Sequence, residues 1–210
     1  MAAKTATTRG SKLVEWGVAA RPKPGLTVSG DMHLVKPFTN GVLLAVVDGL
    51  GHGDEATAAA KAAVEILEKY ANEPITSLYK RCHEALTHTR GVVMTVASVD
   101  AARATITWLG VGNVEDILLR ADTKMSPATE SVILRGGVVG YRLPSLHASV
   151  IPIMPGDLLL FATDGIRSGF TDSINPGDPP KQIADRILDK HFKGSDDGLV
   201  LVVRYLGART

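Results

Sequence analysis

The chain has 210 residues, 45% of them apolar and 21% charged, which suits a folded, water-soluble body with its own core and excludes a disordered or collagen-like polymer. Its 23 basic and 22 acidic side chains leave a formal charge of +1, so no overall field draws nucleic acid or an anionic membrane, and an anionic substrate must be gripped locally. A single cysteine, Cys82, excludes an intramolecular disulfide and a multi-cysteine zinc site; with no apolar signal core in the first ten residues and no apolar run near the ~20 residues of a membrane span, the expectation is a cytoplasmic protein.

Residues 1–11 are small, polar and Thr-rich, and are expected to form a flexible tail ahead of a single domain over 12–210. A strand is predicted over 13–19, broken by Arg21-Pro22-Lys23-Pro24-Gly25, and a second extended stretch leads to Val35. Residues 41–47 are continuously apolar and rich in Val and Leu, the pattern of a strand buried on both faces. Ala56, Ala59, Ala60, Ala63, Leu67 and Tyr70 recur at helical spacing, and Asp54 and Glu55 suit the N-terminal dipole of a helix over 54–70.

A second helix is predicted over 75–89, antiparallel to the first because the link between them is short. Strands follow over 92–99, 104–109, 114–120, 131–134, 148–151 and 157–163, separated by short turns that suit antiparallel pairing. A last helix over 179–192 and a strand over 198–206 close the chain. The order of these elements predicts an α+β sandwich with antiparallel sheets inside.

Four acidic sites share one context: Ser29-Gly30-Asp31, Val46-Val47-Asp48-Gly49, Ala162-Thr163-Asp164-Gly165 and Ser195-Asp196-Asp197-Gly198. Each borders a predicted strand, so the sheet fixes the carboxylate while the glycine lets the backbone turn and bring carbonyl oxygens close to an ion. Asp-Gly is also an ordinary turn signal. Asp48 and Asp164, however, end runs too apolar for edge hairpins, which places both carboxylates at the rim of a buried sheet. Converging carboxylates repel without a counter-charge, and hard oxygen donors select Mg²⁺ or Mn²⁺.

Asp48-Gly49-Leu50-Gly51-His52-Gly53 puts three glycines ahead of a helix, which suits a flexible helix entry or a phosphate-cradling loop. The spacing is not that of a P-loop. His52 is either a phosphate or leaving-group contact, or a surface histidine that orders the loop.

These segments, in order and spacing, resemble the PPM serine/threonine phosphatases, specifically their SpoIIE-like bacterial branch: Asp48-Gly-Leu-Gly-His-Gly, Phe161-Ala-Thr-Asp-Gly-Ile166, Asp196-Asp-Gly-Leu-Val-Leu-Val-Val203 and, upstream, Ser29-Gly-Asp31. The resemblance implies an α-β-β-α sandwich of two antiparallel sheets flanked by helices, and two Mn²⁺ or Mg²⁺ ions as cofactors. It implies Asp48 as the bridging ligand, the Gly49 carbonyl as a ligand, and Asp164 and Asp196 in the second ion's shell. Asp31 then lies close by, directly or through water, and Asp197 is either a ligand or the acid beside one. The resemblance implies a catalytic role for Asp48 and Asp164. Gly112-Asn113 is read as a structural turn.

The implied activity is hydrolysis of phosphoserine or phosphothreonine on a bacterial signalling partner, a STAS-domain or stressosome protein. The family's phosphate-holding basic residue has no clear counterpart, Arg21 being the nearest. Cys82 lies within a predicted helix and is discounted as a nucleophile. His83 and His88, five apart, cannot share a helix face and are assigned no metal. Trp16, Trp108 and Phe161 are expected in the core. Two other readings compete: an ATP-binding module of the histidine-kinase type, which would need an Asn-bearing helix upstream of the glycines, and a catalytically silent binding protein of the same fold.

Overall fold

The computed structural model describes residues 13–122 and 124–208, so the tail expected over 1–11 lies outside the described residues. Ten strands and three α-helices are present among them. They are β1 (Val14–Arg21), β2 (Asp31–Phe38), β3 (Gly41–Gly49), α1 (Asp54–Lys69), α2 (Ile75–Ala85), β4 (Val92–Asp100), β5 (Thr105–Val111), β6 (Glu115–Leu119), β7 (Thr129–Glu130), β8 (Ser149–Pro152), β9 (Leu158–Ala162), α3 (Pro180–His191) and β10 (Gly198–Tyr205). One antiparallel sheet runs β1-β10-β9-β6-β7 and the other β2-β3-β4-β5-β8, with every pairing between these strands antiparallel.

The alternation of side chains along a strand explains the layering. In β3, Val42, Leu44 and Val46 face the other sheet, whereas Leu43, Ala45 and Val47 face α1 and α2. In β10, Leu199, Leu201 and Val203 join the same inter-sheet core, while Val200 and Val202 pack on Ile183, Ala184 and Ile187 of α3. Strands covered on both sides must be apolar throughout, which is why β3 and β10 read as continuous hydrophobic runs. The result is the expected α-β-β-α sandwich, here with two helices on one sheet and one on the other. No helix among the described residues is long and apolar enough to cross a membrane.

Three expectations need correction. The strand expected over 131–134 is absent: β7 sits at Thr129–Glu130, and the following residues are held singly, Val132 N–H by the Asp116 carboxylate at 3.0 Å and Arg135 by Gly110 and Gly112 of the β5 edge. The second helix stops at Ala85, and Thr89 turns the chain by donating its hydroxyl to Leu86 O at 2.8 Å. Trp16 is 43% exposed; β1 is an edge strand, so the indole lies at the open lateral margin, 5.6 Å from the His33 ring, while Trp108 and Phe161 are buried as expected.

Candidate active site

Asp31 begins β2 and Asp48 nearly ends β3, and the register sets them directly opposite each other. Opposed residues on antiparallel strands project to the same side, and like charges there are destabilising. That side is the inter-sheet one, because Val46, two residues before Asp48, belongs to the inter-sheet core. The pair therefore emerges where the gap between the sheets opens.

The other sheet brings its acids to the same opening. Thr163, directly after β9, donates its hydroxyl to Asp31 Oδ2 at 2.7 Å and accepts from Leu199 N–H at 2.9 Å. Asp197, directly before β10 and only 4% exposed, accepts from Gly30 N–H at 2.7 Å through Oδ2 and from Lys23 N–H at 2.8 Å through Oδ1. Asp196 Oδ1 accepts from the Asp197 N–H at 2.9 Å. Asp164 is exposed, and its Oδ2 accepts from Asn113 Nδ2 at 2.8 Å.

Glycines permit this crowding. A Cβ on Gly49 would lie 2.1 Å from Ala56 O, and one on Gly165 only 1.8 Å from Asp197 O, so neither position admits a side chain. The Gly49 N–H donates to Gly30 O at 3.1 Å and fixes the two strand ends together.

Burial raises Asp48 to about 8, reinforced by repulsion from Asp31, Asp164, Asp196 and Asp197. Burial also raises Asp31 to about 7 against the lowering effect of the Thr163 hydrogen bond, with Asp197, Asp164 and Asp196 adding repulsion. Asp31 and Asp48 thus both feel repulsion from Asp164, Asp196 and Asp197 of the other sheet. None of the ion pairs among the described residues involves them. Among the described residues no three His, Cys, Asp or Glu side chains are grouped closely enough to hold a metal ion as they stand.

The remaining candidates divide. His52 is exposed on the glycine loop. Arg21 is engaged elsewhere, paired with Asp189 at 2.9 Å and lying 5.2 Å over the Phe192 ring. Cys82 is buried in α2 and burial pushes its thiol up to about 12, so it is no nucleophile. His83 accepts from Gly140 N–H at 3.0 Å, and His88 is exposed.

Asn113 is the correction here: the supposed structural turn carries an amide that holds a site carboxylate. Two further residues, Thr163 and Lys193, also contact the acidic segments. Lys193 donates its ammonium to the Asp164 carbonyl oxygen. Thr163 had a visible signal, its place beside Asp164 at the end of an apolar strand, whereas nothing local marked Lys193.

The chain matches the family model described as Stage II sporulation protein E (SpoIIE) across residues 39–206. Phosphoserine phosphatase RsbX of Bacillus subtilis (strain 168) is 32% identical over 96 residues, and the matched stretch spans 46% of this chain and only 48% of that protein. A chain solved in work on the bacterial stressosome, a modular system adapted to control secondary messenger signalling, is 30% identical with a TM-score of 0.84, over 91% of this chain and 99% of its own. RsbX in complex with magnesium gives 0.83 at 21% identity, over 94% and 98% of the two chains. The PP2C phosphatase domain of SpoIIE from Bacillus subtilis, with a fragment of its regulatory domain, gives 0.73 at 23% identity, over 94% of this chain and 64% of that one. The last two likenesses establish a common fold.

Proposed function

The chain belongs to the SpoIIE family, and from that premise we propose that it is a metal-dependent phosphoprotein phosphatase acting on phosphoserine or phosphothreonine. The partner we assign is a STAS-domain or stressosome-type signalling protein in the cytoplasm, because relatives include a phosphoserine phosphatase and a chain from the stressosome system. The observation that carries the reading is the opposed pair Asp31 and Asp48, half-buried or more, facing three further aspartates across the gap between the sheets.

It is the chemistry of the donors that suits a pair of hard divalent cations. Every donor at the opening is oxygen, which suits Mg²⁺ or Mn²⁺ rather than zinc or copper. Carboxylates raised to about 7 and 8 by burial and mutual repulsion are acids that lack a positive partner within the protein. Asp48 would be a principal holder of the ions, since it stands opposite Asp31 and is repelled by Asp164, Asp196 and Asp197 as well. Asp31, the Gly49 carbonyl, Asp164 and Asp196 complete the donor set, and Asp197 adds whatever lone pairs its two main-chain bonds leave.

When bound, the ions supply Lewis acidity, lowering the pKa of water and offsetting charge on the phosphoryl oxygens. The chain's own work is orientation. Thr163 fixes one oxygen of Asp31, Asn113 fixes one oxygen of Asp164, and each leaves the other oxygen for a ligand. Such outer contacts govern how well a ligand set is pre-organised. To the exposed His52, four residues after Asp48, we assign contact with phosphate or delivery of a proton to the leaving serine oxygen.

The test uses p-nitrophenyl phosphate and a phosphoserine peptide with and without Mn²⁺. Turnover should require the metal, and Asp48→Asn should lose more than about a hundredfold in kcat, beyond the effect of outer-contact changes, while the circular dichroism spectrum is kept. Wild-type rates in that variant would remove the assignment.

A further inference from the structure

Beside the acidic opening stands a small hairpin that the hydrolytic reading gives no task. Residues 138–142 fold back through reciprocal main-chain bonds, Val138 N–H to Arg142 O at 2.9 Å and Arg142 N–H to Val138 O at 2.8 Å, with Gly140 taking the left-handed turn at φ 101°. The hairpin is fastened on its inner side. Val92 and Val139 exchange two main-chain bonds of 2.9 Å, and Gly140 N–H donates to His83 Nδ1 at 3.0 Å. In the β3–β4 register Val92 lies opposite Gly49 and Val93 opposite Asp48, so the anchor is one residue along from the acids. A Cβ on Gly91 would come within 2.7 Å of both Val138 and Val139, which leaves the hairpin no room to slide.

The outward side is exposed and basic. Tyr141 at the tip is 83% exposed, and Arg142 and Arg135 are exposed as well. The Arg135 main chain bonds Gly110 and Gly112, next to the Asn113 that holds Asp164. From 131 to 148 the chain carries Arg135, Arg142 and His147 but no Asp or Glu, in a protein whose overall charge is only +1. Among the described residues neither guanidinium joins an ion pair. Free guanidinium forks match carboxylates in planar geometry, and a tyrosine on a rigid base offers contact area at little ordering cost.

We infer that the 138–142 hairpin, together with Arg135, is a docking edge for an acidic stretch flanking the phosphorylated residue of the protein substrate. The inference rests on the phosphatase reading. Its test takes two phosphoserine peptides that differ only in flanking Glu or Lys, with p-nitrophenyl phosphate as a probe too small to reach the hairpin. With Mn²⁺, the wild type should show a KM about tenfold lower for the Glu-flanked peptide. The double variant Arg135→Glu, Arg142→Glu should lose or reverse that preference, and Tyr141→Ser should raise the KM of the Glu-flanked peptide. In these variants kcat/KM for p-nitrophenyl phosphate should stay within about twofold, since rim charges away from the reacting atoms leave chemistry untouched.

Fluorescence anisotropy of the same peptides on Asp48→Asn reads docking without turnover, and should give the same order. If the wild type does not discriminate between the peptides, or if the double variant keeps the preference in both assays, the docking edge is overturned. Preferential binding of the Glu-flanked peptide without hydrolysis of any probe would instead sink the phosphatase reading and leave the docking edge standing.

Discussion

Asp116 is a buried carboxyl that the acidic opening does not use. It sits on β6 opposite Phe161, hence on the inter-sheet side, and is 4% exposed. Its Oδ1 accepts from Val132 N–H at 3.0 Å, while Oδ2 has no hydrogen-bond partner among the described residues. Burial raises it to about 7, so between its ordinary range near 4 and about 7 the folded protein holds a proton that the unfolded chain has released. Stability from this group is therefore full at low pH, falls as pH rises through that window, and is lowest above it, a change on the order of a few kcal/mol. Asp116→Asn keeps the acceptor for Val132 and removes the titration. Urea denaturation from pH 4 to 8 should give the variant a visibly flatter profile than the wild type, the contributions of Asp31 and Asp48 cancelling in the difference. Two parallel profiles would contradict the burial argument. Such a residue is not legible in sequence: Asp116 lies in an alternating strand where a polar residue ordinarily faces water, and only the second sheet puts it inside.

Elements were more legible than side chains, because periodicity is local and tertiary partners are not. The helical spacing of Ala56 to Tyr70 predicts α1 to within a residue at each end, and the apolar runs of β3 and β10 declare burial on both faces. The strand character of 131–134 is overruled, since the chain there is held by a side chain and a sheet edge rather than by a ladder. Asp48 and Asp164 can be expected at a sheet rim because each ends an apolar run, whereas the distances among the acids have no local signal. At the junction of β9 and β10 the packing makes its own prediction. Gly165→Ala places a Cβ against Asp197 O, so the two loops that carry Asp164 and Asp197 must part. Overpacking of this kind costs about 1–3 kcal/mol. Activity should suffer more, about a hundredfold, because a displacement near 1 Å is enough to spoil a reacting geometry. Gly136→Ala is the control: an added Cβ meets nothing within 4 Å there, and melting temperature and kcat should match the wild type.

Across the whole molecule, the acids are divided between the two halves of the sandwich. Asp31 and Asp48 belong to the sheet under α1 and α2, whereas Asp164, Asp196 and Asp197 flank strands of the sheet under α3. At this end the halves are tied by the Thr163 hydroxyl on Asp31 and by the Gly30 N–H on Asp197. Cations held between them would therefore act as a clamp on the fold as well as on substrate, stabilising the native state alone by mass action. At a metal concentration a hundred times its dissociation constant the gain is about 2.7 kcal/mol. For a domain near this length that corresponds to a rise of roughly 5–10 °C in melting temperature. Removing a charge from the repelling pair should have the opposite signature. Asp48→Asn should melt above the wild type in EDTA, because burial and four neighbouring acids disfavour the Asp48 carboxylate. It should then gain little when Mn²⁺ is added, so that the two melting curves cross over between chelator and metal. Equal Mn²⁺ shifts in both proteins would place the ions away from Asp48 and break the link between the opposed carboxylates and catalysis.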